Sequence, residues 1–149
     1  MQKNVATEEG TSSSAAAELD LFRDTPVRLL GYANEVGEAF KPVAPRVLYY
    51  GSYATSLAYV LADAKHKYDA DGDARHGVDA LVWQLFASVI LPGAVVNRIV
   101  AATAAATKRP LVPTAVGLAS IPFIIKPIDE LVHFCMDSTL RPWLHDDAD

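Results

Sequence analysis

The stretch from Asp79 to Arg98, D-A-L-V-W-Q-L-F-A-S-V-I-L-P-G-A-V-V-N-R, constrains this chain more than any other. Between its charged ends, Ala80 to Val96 carry no ionisable side chain. As a helix they extend about 26 Å, close to the roughly 30 Å hydrocarbon core of a bilayer. Such a segment belongs either in a membrane bundle or, wholly buried, in a soluble all-α domain. Recurrence of the pattern decides between them.

It recurs on both sides. After Arg46 comes V-L-Y-Y-G-S-Y-A-T-S-L-A-Y-V-L-A, uncharged up to Asp63. Here Ala54, Ala58 and Ala62 make a small-residue stripe at i, i+4, i+8, and Tyr49, Tyr50 and Tyr53 group at one end, as close helix packing and an aromatic belt require. The third block, Leu111 to Ile125, lies between Lys108-Arg109-Pro110 and Lys126. Mean hydropathy is +0.16 despite the polar N-terminus, so apolar residues are concentrated in these blocks. They predict an all-α, multi-pass helical membrane protein with about three apolar spans and flanking amphipathic helices.

The first flank begins at Thr25, an N-cap candidate, with Pro26 suited to the first helical position. Leu29, Ala33, Val36 and Phe40 form its apolar face; Arg28, Asn34, Glu35, Glu38 and Lys41 form a polar face expected to meet water, headgroups or a partner. Pro42 and Pro45 make a joint. Lys65 to Val78 reads as a polar connection. Its alternating Asp69, Asp71 and Asp73 resemble the start of a calcium loop, but Ala74 and Ala80 stand where such a loop needs glycine and glutamate, so no metal site is expected.

Pro92-Gly93 is expected to kink or break the central span near Leu91, since proline lacks an N–H and crowds the carbonyl four residues back. Pro113 and Pro122 weaken the third block. Pro127 is read as opening a separate amphipathic helix with Ile128, Leu131, Val132, Cys135 and Thr139 on one face, stopped by Pro142. Residues 1–18 are read as a disordered polar tail, 19–141 as a single helical membrane domain and 142–149 as an acidic tail.

Composition excludes several functions. A net charge of −5 gives no basic footprint for nucleic acid. Cys135 is the sole cysteine, so no intramolecular disulfide forms. The N-terminus lacks the apolar core of a secretory signal and, with Glu8 and Glu9 and no arginine before Arg23, is poor as a cleaved transit peptide. Neither G-x-S-x-G nor G-x-G-x-x-G is present, and His133 and Cys135 fall on different sides of a helix. No catalytic residue and no cofactor is expected. The candidates for function are polar groups at block edges, Asp63, Asp79, Asn97, Arg98 and Asp129, because ionisable groups at membrane depth are costly and usually partnered. Arg98 is expected to pair with one of the three aspartates. Lys and Arg counts over three spans place Lys3, Arg23, Arg28, Lys41, Arg46, Arg98, Lys108 and Arg109 on one side, against Lys65, Lys67, Arg75, Lys126 and Arg141 on the other, a slight excess of eight against five.

Four ordered blocks carry a family resemblance: L-F-R-D-T-P-V-R-L-L-G-Y-A-N-E-V-G-E-A-F (21–40), Y-V-L-A-D-A (59–64), V-W-Q-L-F-A-S-V-I-L-P-G-A-V-V-N-R (82–98) and I-P-F-I-I-K-P-I-D-E-L-V-H-F-C-M-D-S-T-L-R (121–141). The chain resembles the mitochondrial fission process protein family. The resemblance implies a multi-pass protein of the mitochondrial inner membrane, associated with mitochondrial division and inner-membrane integrity, with the lipid bilayer and other inner-membrane proteins as partners. It supplies no catalytic residues. Two alternatives remain: a channel or carrier-like component, with the helix breaks around a polar path, and a soluble helical binding domain.

Overall fold

The computed structural model describes residues 21–22 and 25–145, and every regular element among them is helical. The tail read over residues 1–18 lies outside the described residues, as do the last four residues of the acidic tail. Thr25 caps the first turn, its Oγ1 accepting from the Val27 N–H at 3.2 Å, and Pro26 stands in the first turn as expected. A 3-10 segment, Pro26–Tyr32, leads into α1 (Ala33–Phe40). After the proline joint come α2 (Arg46–Asp71), α3 (Ala74–Gln84), a π-helical segment Leu85–Ile90, α4 (Leu91–Ala106), α5 (Leu111–Ser138) and the short α6 (Leu140–His145).

Contacts fix the directions. Asn34 reaches Val89, Glu38 reaches Asn97, and Ala39 packs with Val96 and Val100, so α1 runs parallel to α4. Along α2, Tyr53 meets Glu38, Ser56 meets Asn34 and Asp63 meets Gln84, so α2 is antiparallel to both. Gly117 of α5 abuts Val100, while Ile128, Val132 and Met136 pack on Trp83 and Ala87. The chain is an up-and-down bundle in which the short α1 is wedged among α2, α4 and α5.

Several expectations change. Among the described residues two helices, not three, are long and apolar enough to cross a membrane: Ala74–Ala106, which joins α3, the π segment and α4, and Leu111–Ser138. α2 is long enough, about 39 Å, but its inner face carries polar groups and its end is charged, so it fails on composition. The segment read as a loop from Lys65 to Val78 is mostly helix. Lys65 pairs with Asp69 one turn on, and the true connection is Gly72 and Asp73. Gly72 holds the left-handed φ of 66° that ends α2, and the Asp73 side chain caps α3 by accepting from Arg75 N–H at 2.9 Å.

None of the interior prolines breaks its helix. At Pro92 the preceding turn widens into the π segment, which spaces the chain around the missing N–H, and the Asn34 side chain donates to the nearby Val89 carbonyl at 3.0 Å. Pro122 and Pro127 lie inside a continuous α5, so no separate helix opens at Pro127. The face of α5 also differs: Ile128, Val132 and Met136 are buried, while Leu131 and Cys135 are exposed. Pro142 falls within α6 rather than ending α5, whose last residue is Ser138.

Candidate functional site

A polar seam runs through the bundle between its apolar clusters, and many large apolar side chains face outward. Its buried polar residues are Asn34, Glu35, Glu38, Ser56, Asp63, Gln84, Ser88 and Thr114, with Glu35 and Asp63 at 0% exposure. Phe123 and Phe134 of α5, at 78% and 70%, face outward, as do Val47, Leu48 and Leu61 of α2. For α1 this inverts the expectation: its polar face points inward, and Leu29 and Leu30 of the preceding segment, with Val36 and Phe40 of α1, are exposed. Gly31, Asn34, Glu35 and Glu38 fall at i, i+3, i+4 and i+7, so the polar groups share one face with a glycine.

Two further glycines, Gly37 of α1 and Gly93 of α4, permit the close approach. A Cβ at Gly37 would lie 1.9 Å from Ser52 Oγ, and one at Gly93 would lie 2.9 Å from Asn34 Nδ2. The Pro92-Gly93 pair is therefore the surface against which α1 seats. Asn34 is held there twice, its backbone N–H donating to Ser56 Oγ at 2.9 Å and its amide to Val89.

Glu38 is the best-satisfied group. Its Oε1 accepts from Tyr49 and Tyr53 hydroxyls at 2.7 and 2.6 Å, and its Oε2 from Asn97 Nδ2 at 2.7 Å, with Lys41 Nζ at 3.5 Å. Burial alone would raise this carboxyl. The hydrogen bonds from Asn97, Tyr53 and Tyr49, with the Lys41 charge, outweigh burial and hold it below the usual range. Glu35, three residues back, has both carboxylate oxygens buried without a hydrogen-bond partner, and burial pushes its carboxyl up to about 8. A chain of polar contacts continues toward the other end: Ser88 Oγ donates to Gln84 Oε1 at 2.6 Å, and Gln84 Nε2 donates to Asp63 Oδ2 at 2.7 Å.

Of the residues singled out in the sequence, Asp63 joins that chain and Asn97 joins Glu38. Asp79 and Asp129 anchor the opposite end of the bundle: Asp79 accepts from Arg141 at 2.8 and 3.2 Å, and Asp129 from Arg28 at 2.9 Å. The hydrogen bond to Asp79 raises the Arg141 guanidinium, and Asp137 adds to it. Arg98 is exposed and makes no ion pair among the described residues, so the expected pairing with an aspartate does not form. The reason is axial. Asp63 bonds at the level of Gln84, fourteen residues before Arg98 along one continuous helix, which is about 21 Å. The same geometry moves Arg28 to the end opposite Lys41 and Arg46, away from the side assigned to it by counting.

Sequence reasoning missed Asn34, Glu35, Glu38, Ser56, Gln84, Arg28 and Arg141 as interior or tethering groups. The glycines on their shared faces were the available signal. Among the described residues, no group of three or more His, Cys, Asp or Glu side chains is arranged to hold a metal ion.

Fold and interior define a class: an all-helical bundle with a hydrogen-bonded polar seam and a largely apolar exterior. The family described as Mitochondrial 18 KDa protein (MTP18) matches residues 15–80. Mitochondrial fission process protein 1 of Homo sapiens is 45% identical over 84% of this chain and 88% of its own length. The protein of that name from Danio rerio is 41% identical over 89% and 93%, and that from Caenorhabditis elegans 40% over 82% and 87%. The chain belongs to the mitochondrial fission process protein family. No solved structure matches it.

Proposed function

We propose that this protein is a non-enzymatic, multi-pass component of the mitochondrial inner membrane that acts in mitochondrial fission and inner-membrane organisation. Its relatives carry fission in their name, and family membership supports carrying that role to this chain. Large apolar side chains on the outside, together with carboxylates in the interior, support membrane immersion. A soluble protein exposing Phe123, Phe134, Leu48 and Leu61 while burying Glu35, Glu38 and Asp63 would leave apolar area in water and pay desolvation inside. In lipid the same arrangement is favourable, with Ala74–Ala106 and Leu111–Ser138 as the spans and α1 and α2 packed against them. Retention in the membrane pellet after carbonate extraction is the expected result, and release into the supernatant overturns this reading.

The polar seam favours a second reading, a channel or carrier-like component that changes membrane permeability. Imaging of the mitochondrial network after depletion, with proton leak across the inner membrane followed over the same hours, separates the two. A fission component gives elongated mitochondria first; a conducting one gives altered leak first.

A further inference from the structure

One groove of the molecule changes character along its length. Between α1 and α2, the side chains of Val36, Phe40 and Leu48 line an apolar groove of about 410 Å³. Ala44 and Tyr49 belong both to it and to an adjoining recess of about 480 Å³, which Lys41, Arg46 and Tyr50 complete. An apolar channel thus opens directly beside two cations and two phenol hydroxyl-bearing rings.

The charges there are poorly balanced. Between Glu38 and Asp63, and again between Asp79 and Asp129, the sequence holds no carboxylate. Because α1 and α4 run parallel and α5 turns back after Ala106, Lys41 and Arg46 share their end of the bundle with Lys108 and Arg109. Among the described residues Glu38 is the one acid nearby, and Tyr49, Tyr53 and Asn97 hold its oxygens at 2.6–2.7 Å, leaving Lys41 Nζ at the longer 3.5 Å. Arg46 makes no ion pair among the described residues. Lys41, 49% exposed at its side chain, sits 4.9 Å over the Tyr49 ring at the mouth of the groove.

We infer that this groove binds one anionic phospholipid, its phosphate at Lys41 and Arg46 and an acyl chain along Phe40, Leu48 and Val36. The charge complementarity argues for an anionic headgroup, and the apolar extension argues for a tethered chain rather than a free anion. The inference rests on the membrane reading, which places this surface where lipid reaches it.

The test uses the full chain purified in a zwitterionic detergent and examined by native mass spectrometry with phosphatidylglycerol or phosphatidylcholine added. Preferential retention of one phosphatidylglycerol is expected, with inorganic phosphate failing to displace it. Each cation removed, in K41Q and R46Q, is expected to weaken the preference about fivefold. A44F, which fills the junction, should lower retention of both lipids, while K108Q/R109Q should leave the preference in place. Equal retention of the two lipids by the wild type overturns the proposal. So does a preference unchanged in K41Q/R46Q, or a second copy of the chain occupying the groove in place of lipid. A chain that resists carbonate yet shows no headgroup preference refutes this inference alone; release by carbonate refutes the membrane reading beneath it.

Discussion

Two glutamates three residues apart on the short α1 meet opposite fates because their neighbours differ. Glu38 is ringed by donors, while Glu35 has none for either oxygen. A carboxyl raised to about 8 from 4.5 keeps a proton in the folded state that the unfolded chain has released, so its effect on stability declines as pH rises between those values. The slope from this one group reaches about 1.4 kcal/mol per pH unit. E35Q should flatten the fall in melting temperature between pH 5 and 8, followed by circular dichroism in detergent; a slope equal to wild type would refute the assignment. Glu38 acts in the reverse sense, contributing stability above the usual carboxylate range and losing it as acid protonates the group. E38Q replaces charge-assisted bonds with neutral ones and should cost about 2 kcal/mol at pH 7 in the same measurement.

At the level of elements, glycines and prolines set how closely the helices meet. G37A brings a methyl into Ser52 and should destabilise by more than about 2 kcal/mol, since neither α1 nor α2 can shift without losing the Glu38 bonds. G51A, on the exposed face of the same α2 with nothing within 4 Å, should instead stabilise by about 0.5–1 kcal/mol through helix propensity. Chemical denaturation of the two variants in one detergent distinguishes close approach from propensity. The prolines show why local signals were misleading. Pro92 reads as a kink or break, Pro122 as a weak point and Pro127 as the start of a new helix, but the flanking turns are held by packing against Asn34, Val100 and Trp83, and at Pro92 the turn widens around the lost N–H. The α1 polar face was misassigned for a related reason. Periodicity reports that a helix has two faces, whereas which one lies inside depends on the medium outside.

For the whole molecule, the two apolar helices predict a topology. Lys41, Arg46, Arg98, Lys108 and Arg109 lie toward one end and Arg28, Lys65, Lys67, Arg75 and Arg141 toward the other, so the cation count sets no orientation. With two spans, both flanks of the spanning pair lie at one end and the loop after Ala106 at the other. In a C135S background, an impermeant maleimide applied to one face of the membrane should label A70C or T107C but not both. Labelling of both would refute the two-span reading.

The residues by themselves determined the helical class, the Thr25-Pro26 start, two of the three long apolar blocks they were read to hold, and the family through its four ordered blocks, because these are properties of local pattern. Only the tertiary structure decided that Asp79 to Arg98 is one continuous helix with a π-helical turn rather than a broken one, that Glu38 instead of Arg98 gathers the polar partners, and that α2 packs beside the two apolar helices. Those outcomes depend on groups far apart in sequence meeting at one depth of the bundle, Asn34 with Val89 and Glu38 with Asn97, and no spacing along the chain records such a meeting.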